Sequence, residues 1–182
     1  TVADAVVDAI APLLPTLNRP ITALEPSAGI GRFLASADRP SFRDTTWHVI
    51  ERSPLSARML AAIRPDLDVF EGSFERWVAD HEHLAGQIDL VLANPPYGPR
   101  GGSITDDPVR SYREKQAWAY FLRRCLDLLA PGGLGVFLVP AGFLTGTSAR
   151  IRNLRDKVLL RHHLVSAFRL PSDLFPGANL VT

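Results

Sequence analysis

Residues 88–93 read Ile-Asp-Leu-Val-Leu-Ala and run without a break into Asn94-Pro95-Pro96-Tyr97. An almost wholly apolar run of this kind suits a parallel strand whose two faces are both covered by helices. This segment therefore argues for an α/β sheet, with the Asn-Pro-Pro-Tyr sequence placed at a strand mouth.

The flanking chain has the same rhythm. Val2, Val6, Ile10, Leu13 and Leu14 fall near helical spacing, and Pro12 and Pro15 mark the end, which predicts a helix over 2–14. Strands are predicted at Ile21–Leu24, Trp47–Ile50, Leu67–Phe70, Leu134–Val139 and Leu164–Leu170. Helices are predicted over 33–37, over 54–63 with Pro54 in the first turn, over 74–84, and over 148–160. A further helix over 117–129 is stopped by Pro131-Gly132-Gly133, and Gly98–Tyr112 reads as a mobile loop. Strands alternating with helices make βαβ units, so the expected fold is α/β, a doubly wound and mainly parallel sheet in one domain over 1–182. In such sheets ligands bind beyond the carboxyl ends of the strands, here at Glu25, Glu51 and Asn94.

Composition narrows the class. The chain has 182 residues, 46% apolar and 21% charged, which suits a folded core and excludes wholesale disorder. No apolar run approaches the roughly 18 residues of a membrane-spanning helix, so no membrane partner and a cytoplasmic setting are expected. A single cysteine, Cys125, forms no internal disulfide and no cysteine-rich metal site. The formal net charge is +1, yet residues 1–99 carry 8 basic and 13 acidic side chains and residues 100–182 carry 12 and 6. That balance argues against a nonspecific nucleic-acid binder while leaving the second half able to present a local basic surface.

The first turn is Glu25-Pro26-Ser27-Ala28-Gly29-Ile30-Gly31. Gly29 and Gly31 allow a sharp backbone turn and close ligand approach. The third glycine of a dinucleotide fingerprint is replaced by Leu34, which disfavours a pyrophosphate cradle. Glu51, at the end of the next strand, is placed to accept both hydroxyls of a ribose. The combination suggests an adenosine-type ligand without a pyrophosphate, a description that S-adenosylmethionine meets. Glu25 is expected near the ligand's amino-acid end, where a carboxylate attracts an ammonium group.

Asn94-Pro95-Pro96-Tyr97 fits methyl transfer to an amino group. A conjugated exocyclic amine is a poor nucleophile because its lone pair is delocalised. Two acceptors on its N–H bonds, the Asn94 side-chain oxygen and the Pro95 carbonyl, draw the nitrogen toward sp³ geometry. Pro95 and Pro96 restrict the backbone and so aim the second acceptor. Tyr97 offers a face on which a planar substrate stacks.

These motifs resemble those of the adenine-specific (N6) DNA methyltransferase family. Residues 25–31 resemble its cofactor motif, Glu51 its ribose position and Asn94–Tyr97 its catalytic motif. Val139–Leu144 resembles its fifth-strand segment, and Phe168–Gly177 the stretch leading to its final hairpin. The resemblance implies a Rossmann-like S-adenosylmethionine-dependent methyltransferase fold. It further implies methyl transfer to the N6 of an adenine flipped out of DNA, in a restriction-modification or defence context. Ser27, Ala28, Gly29 and Gly31 would shape the cofactor site, while Ser73-Phe74 stands where the family often carries an acid and a phenylalanine at the cofactor adenine. Only 62 residues separate Gly31 from Asn94, which leaves no room for an inserted recognition domain. The expected chain is a catalytic-domain fragment, with target recognition in further domains or subunits.

Two other readings use the same residues. The acceptor pair also suits RNA amino groups or a protein glutamine, and the fold could serve as a non-catalytic DNA-recognition or assembly module. Cys125 reads as core, and His81, Glu82 and His83 lack the spacing of a helical metal pair, so no metal is expected. His162-His163 reads as an ordinary polar approach to a strand. Arg100, Arg110, Arg113 and Lys115 flank the loop after Tyr97 and suit phosphates, and Phe143 and Phe175 are candidates for a target pocket or for core.

Overall fold

Proline and glycine punctuate the chain, and the elements of the computed structural model fall between them. The structure describes residues 1–14, 19–98 and 107–171. Helix α1 (Val2–Ile10) opens on a capping box, in which Thr1 Oγ1 accepts the Asp4 N–H and the Asp4 carboxylate accepts from the Thr1 backbone. A 3₁₀ turn over Ala11–Leu13 ends it at Pro12. Strand β1 (Ile21–Glu25), helix α2 (Arg32–Ser36), strand β2 (Thr45–Glu51) and helix α3 (Pro54–Ile63) follow. Next come strand β3 (Val69–Glu71), helix α4 (Phe74–Asp80), strand β4 (Ile88–Ala93), helix α5 (Ala117–Leu126) and strand β5 (Leu129–Phe137).

The five strands form one parallel sheet in the order β3-β2-β1-β4-β5. The winding reverses between β1 and β4, and in open α/β sheets ligands bind beyond the carboxyl ends of the strands at such a reversal. Both faces of the sheet are covered. Val49 of β2 packs with Ala28, Leu34 and Leu60, whereas its neighbour Ile50 joins Phe74, Trp77 and Tyr120. Consecutive side chains on a strand point to opposite faces, so the two residues report two cores. Every residue of β4 is buried, as its composition predicts. Asp89 is its polar exception. It accepts two hydrogen bonds from Arg19 at 2.7 and 3.0 Å and one from the Thr22 N–H at 2.9 Å, which fastens β4 to the start of β1.

The predicted helix over 117–129 stops at Leu126, and β5 starts at Leu129 instead of Leu134. Pro131-Gly132-Gly133 therefore lies inside the span of β5, at a register shift between the Ile88–Leu129 and Leu90–Leu134 pairs. Gly133 is glycine for a reason, since a Cβ there would sit 2.9 Å from the carbonyl oxygens of Ala130 and Ile88. The helix predicted over 74–84 ends at Asp80, and a 3₁₀ turn covers Glu82–Leu84.

Residues 1–137 form one compact unit and residues 138–182 a second. The second unit contains helix α6 (Gly142–Thr145) and helix α7 (Ala149–Leu159). Ser148 caps α7 by accepting the Ile151 N–H, and Arg155 donates to the carbonyls of Phe143, Leu144 and Gly146, tying α7 to α6. The predicted strand Leu164–Leu170 is not formed. Residues 163–171 have no regular structure, and Val165 and Phe168 are 73% and 81% exposed. An apolar run becomes a strand only where a partner completes its ladder and covers a face. Among the described residues no helix is long and apolar enough to cross a membrane.

Candidate functional site

Three strand ends lie at the carboxyl end of the sheet around this reversal. β1 delivers Glu25 and the turn 26–31, β2 delivers Glu51, and β4 delivers Asn94. The turn is fastened to β2 by the Ala28 N–H, which donates to the Ile50 carbonyl at 2.9 Å. Gly29 and Gly31 have φ of +57° and +82°, the left-handed region that side chains rarely adopt. Their surroundings differ. A Cβ on Gly31 would come 2.5 Å from Leu60 Cδ1, whereas a Cβ on Gly29 would meet nothing within 4 Å. The ground above Gly29 is thus open to a ligand.

The two acids at these strand ends differ in setting. Glu51 is held by two backbone donors, with Oε2 accepting the Gly29 N–H and Oε1 accepting the Ser53 N–H, each at 2.7 Å. Its orientation is fixed, and each oxygen keeps a lone pair for a further donor. Glu25 is only 2% exposed, and its Oε2 has no hydrogen-bond partner among the described residues. Burial, reinforced by the nearby Glu51 charge, pushes its carboxyl well above the usual carboxylate range.

Asn94 is engaged twice. The Ser27 hydroxyl donates to its main-chain carbonyl at 3.0 Å, and the Tyr97 hydroxyl donates to its Oδ1 at 3.0 Å. Ser27 therefore bridges the first turn and the Asn94 motif across the β1–β4 reversal. Pro95 is buried, while Asn94, Pro96 and Tyr97 are exposed. Partial burial raises the Tyr97 phenol above its ordinary value, which keeps it a donor at neutral pH. Just beyond, the Gly98 carbonyl accepts the Ala117 N–H at 3.1 Å, so the excursion after Tyr97 closes on the first residue of α5.

Ser73 caps α4, its Oγ accepting the Arg76 N–H at 3.2 Å. The Gly72 N–H donates to the Glu51 carbonyl at 3.0 Å, which brings this segment beside the end of β2. Phe74 is 2% exposed and packs its ring 4.9 Å from that of Phe121, inside the core. Cys125 is fully buried, and burial pushes its thiol well up, so it is core and not a nucleophile. His81 donates from Nδ1 to the Trp77 carbonyl at 2.7 Å and stacks on the Trp77 ring. Among the described residues no group of three metal-type ligands exists. Phe143 is buried in the second unit, whereas Arg100, Phe175 and the rest of 172–177 lie outside the described residues.

The buried ion pair between Asp107 and Arg124, at 2.9 Å with the two side chains 2% and 8% exposed, has no forerunner in the sequence motifs. It lies at the foot of the segment after Tyr97, a segment predicted to be mobile. No periodicity marks a pair 17 residues apart, and the signal was at most two adjacent arginines, Arg123 and Arg124, on a largely apolar helix.

The model of the Eco57I restriction-modification methylase family matches residues 42–175, from the approach to β2 through the Asn94 motif and into the second unit. The chain belongs to this family. Among curated relatives, the Defense against restriction protein B of Escherichia phage P1 is 29% identical over 159 residues, which is 87% of this chain and 7% of that protein. The Type II methyltransferase M.CvrRI of Paramecium bursaria Chlorella virus XZ-6E is 26% identical over 167 residues, 88% of this chain and 40% of that protein. The chain thus spans less than half the length of either relative. The crystal structure of the type I restriction-modification system methyltransferase subunit from Streptococcus thermophilus has a TM-score of 0.62 at 20% identity, covering 87% of this chain and 37% of that one. Aeropyrum pernix fibrillarin, crystallised with natively bound S-adenosyl-L-methionine, has a TM-score of 0.51 at 15% identity, covering 84% and 63%. These likenesses establish the Rossmann-like methyltransferase fold. Membership of the Eco57I family also bears out the resemblance to restriction-modification methyltransferases read from the motifs.

Proposed function

We propose that the chain binds S-adenosylmethionine over the carboxyl ends of β1 and β2 and transfers its methyl group to the N6 amino group of adenine in DNA. The observation that carries this reading is the Ser27–Asn94 hydrogen bond, which joins a nucleoside-type turn to an amine-acceptor motif at one point. Membership of a restriction-modification methylase family supports DNA as substrate and a restriction or defence setting. Target recognition then falls to further domains or subunits, as the greater length of the relatives suggests.

The residues present fit the cofactor. Glu51 is pre-oriented, with lone pairs free for ribose hydroxyls. Glu25 carries a buried, unpartnered carboxyl oxygen that a cationic ammonium group would satisfy. Ala28, Gly29 and Gly31 shape the open ground between them, and the hydroxyl of Ser73 lies toward the adenine end; the Phe74 ring is taken up by the core against Phe121, so the expected contact of Phe74 with the adenine is not available. When bound, the cofactor supplies a sulfonium methyl, an electrophile that asks for no covalent enzyme intermediate.

The chain's own work is to place and sharpen the nucleophile. In a duplex the adenine amine is base-paired and its ring stacked, so the base is extruded before transfer. Its plane stacks on Tyr97. Its two N–H groups donate to Asn94 Oδ1 and to the Pro95 carbonyl, which localises the nitrogen lone pair and points it at the methyl. The Tyr97 hydroxyl uses one lone pair of Asn94 Oδ1 and fixes the amide's direction, leaving the second for substrate. Positioning of this kind supplies much of the rate.

Calorimetry with S-adenosylmethionine and S-adenosylhomocysteine, paired with methyl transfer to adenine-containing DNA, tests the reading. Asn94→Ala is expected to bind both nucleosides as the parent does and to lose transfer by at least about 10²-fold, the scale of removing one aligned hydrogen-bonding group. Loss of binding and transfer together would make Asn94 structural. Labelled methyl in RNA or in protein glutamine, with none in DNA, would replace the substrate.

A further inference from the structure

Residues 107–116 are held from the inside. Asp107 Oδ2 accepts the Arg124 Nε–H at 2.9 Å and the Tyr120 hydroxyl at 2.8 Å. Glu114 accepts from Arg123 at 2.7 Å, and Arg123 also donates to the Ser111 carbonyl at 2.8 Å. Tyr112 is buried beneath both guanidinium groups, which lie 5.1 and 4.7 Å from its ring centre, and its hydroxyl donates to Asp127 at 2.6 Å. Both acids of the segment are thus turned toward α5 and matched there by arginines.

Its cations point the other way. Arg110, Arg113 and Lys115 are exposed, and among the described residues no acid pairs with them. Three positive charges within six residues therefore face solvent from a segment that is itself fixed in place. The Gly98–Ala117 hydrogen bond roots that segment one residue beyond Tyr97.

We infer that residues 107–116 form a preformed phosphate-contacting platform: Arg110, Arg113 and Lys115 meet the nucleic-acid backbone beside the Asn94–Tyr97 motif, and the buried Asp107–Arg124 pair sets their position. The inference rests on the nucleic-acid reading above. Polyphosphate backbones bind clustered arginine and lysine by releasing condensed counterions, and a surface that is already ordered spends less free energy on docking. The contacts carry no sequence information, so they serve register and orientation at the site.

The test is the salt dependence of binding to a fluorescently labelled DNA duplex of mixed sequence, for the parent and for the triple variant Arg110→Gln, Arg113→Gln, Lys115→Gln. All three side chains are exposed, so the variant is expected to fold and to bind S-adenosylmethionine as the parent does. The plot of log affinity against log salt should flatten by about 0.9 per lost phosphate contact, roughly 2–3 in all, and the loss should be the same across sequences. A control pair on other surfaces, Arg43→Gln and Arg76→Gln, should leave the slope unchanged. Asp107→Asn keeps the outward cations and loosens their base, and is expected to raise the KM for DNA several-fold with kcat preserved. An unchanged slope in the triple variant overturns the platform while leaving methyl transfer intact. Parental behaviour of Asp107→Asn removes the ion pair from the account. A parent that binds S-adenosylmethionine but shows no salt-dependent DNA binding overturns both the platform and the DNA reading.

Discussion

Glu25 holds a carboxyl group where water does not reach and where Glu51 adds a like charge, so the folded chain favours its protonated form. The folded state then binds a proton that the unfolded chain releases. That contribution to stability is complete below the ordinary glutamate value and is lost as pH rises toward the raised folded value. Glu25→Gln should therefore raise the ligand-free melting temperature at neutral pH and flatten this part of the pH profile. The same change should weaken S-adenosylmethionine by about tenfold or more, the worth of one charge-assisted hydrogen bond at roughly 1.5–3 kcal/mol. Parallel melting curves and calorimetry decide it, and a destabilised variant with unchanged affinity would make Glu25 a purely structural acid. The two glycines of the turn separate in a similar way. Gly31→Ala combines a strained φ with a collision at Leu60, and should cost about 1–3 kcal/mol of stability. Gly29→Ala projects a methyl into open ground, so it should lose less stability and more cofactor affinity. Equal effects of the two on both readouts would contradict the site drawn here.

Strand β4 joins the element scale to the site, because its buried run ends at Asn94 and its Asp89 is pinned at the other end. Burial alone would raise Asp89, but the hydrogen bonds from Arg19 and the Thr22 N–H outweigh it and hold the carboxyl below its ordinary value. Its contribution is therefore present at neutral pH and lost as pH falls through the depressed folded value. Arg19→Ala leaves a buried carboxylate with only the Thr22 N–H as donor and should lower stability at neutral pH. Urea unfolding at neutral and acid pH measures this, and the difference between parent and variant should shrink in acid. β4 itself was legible because an unbroken apolar run states its own burial. The strand ends at Glu25, Glu51 and Asn94 were legible for the same reason, since turn residues follow each run directly. Pro131-Gly132-Gly133 misled because such a triplet normally ends an element, yet here its glycines let β5 shift register against the backbone of β4. Leu164–Leu170 misled because composition marks a segment able to be a strand and says nothing of a partner. The Asp107–Arg124 and Arg19–Asp89 pairs left no trace, because ion pairs between distant residues follow no period. The orphaned oxygen of Glu25 was invisible for a further reason: its solitude depends on everything packed around it.

At the scale of the molecule, a five-stranded parallel unit gathers the turn 25–31, Glu51 and Asn94–Tyr97 at one reversal of winding, and a family model spans most of the chain. The geometry joins the turn 25–31 to the Asn94 motif through the Ser27–Asn94 hydrogen bond. The proposal of adenine N6 as acceptor rests on the match between two acceptors, at Asn94 and Pro95, and the two hydrogens of an exocyclic amine. The most direct measurement is nucleoside mass spectrometry of DNA incubated with the protein and isotopically labelled S-adenosylmethionine. Label is expected in N6-methyladenine alone, and none with Asn94→Ala. Label in a methylated cytosine, or in no nucleoside although the cofactor binds, would contradict the proposal.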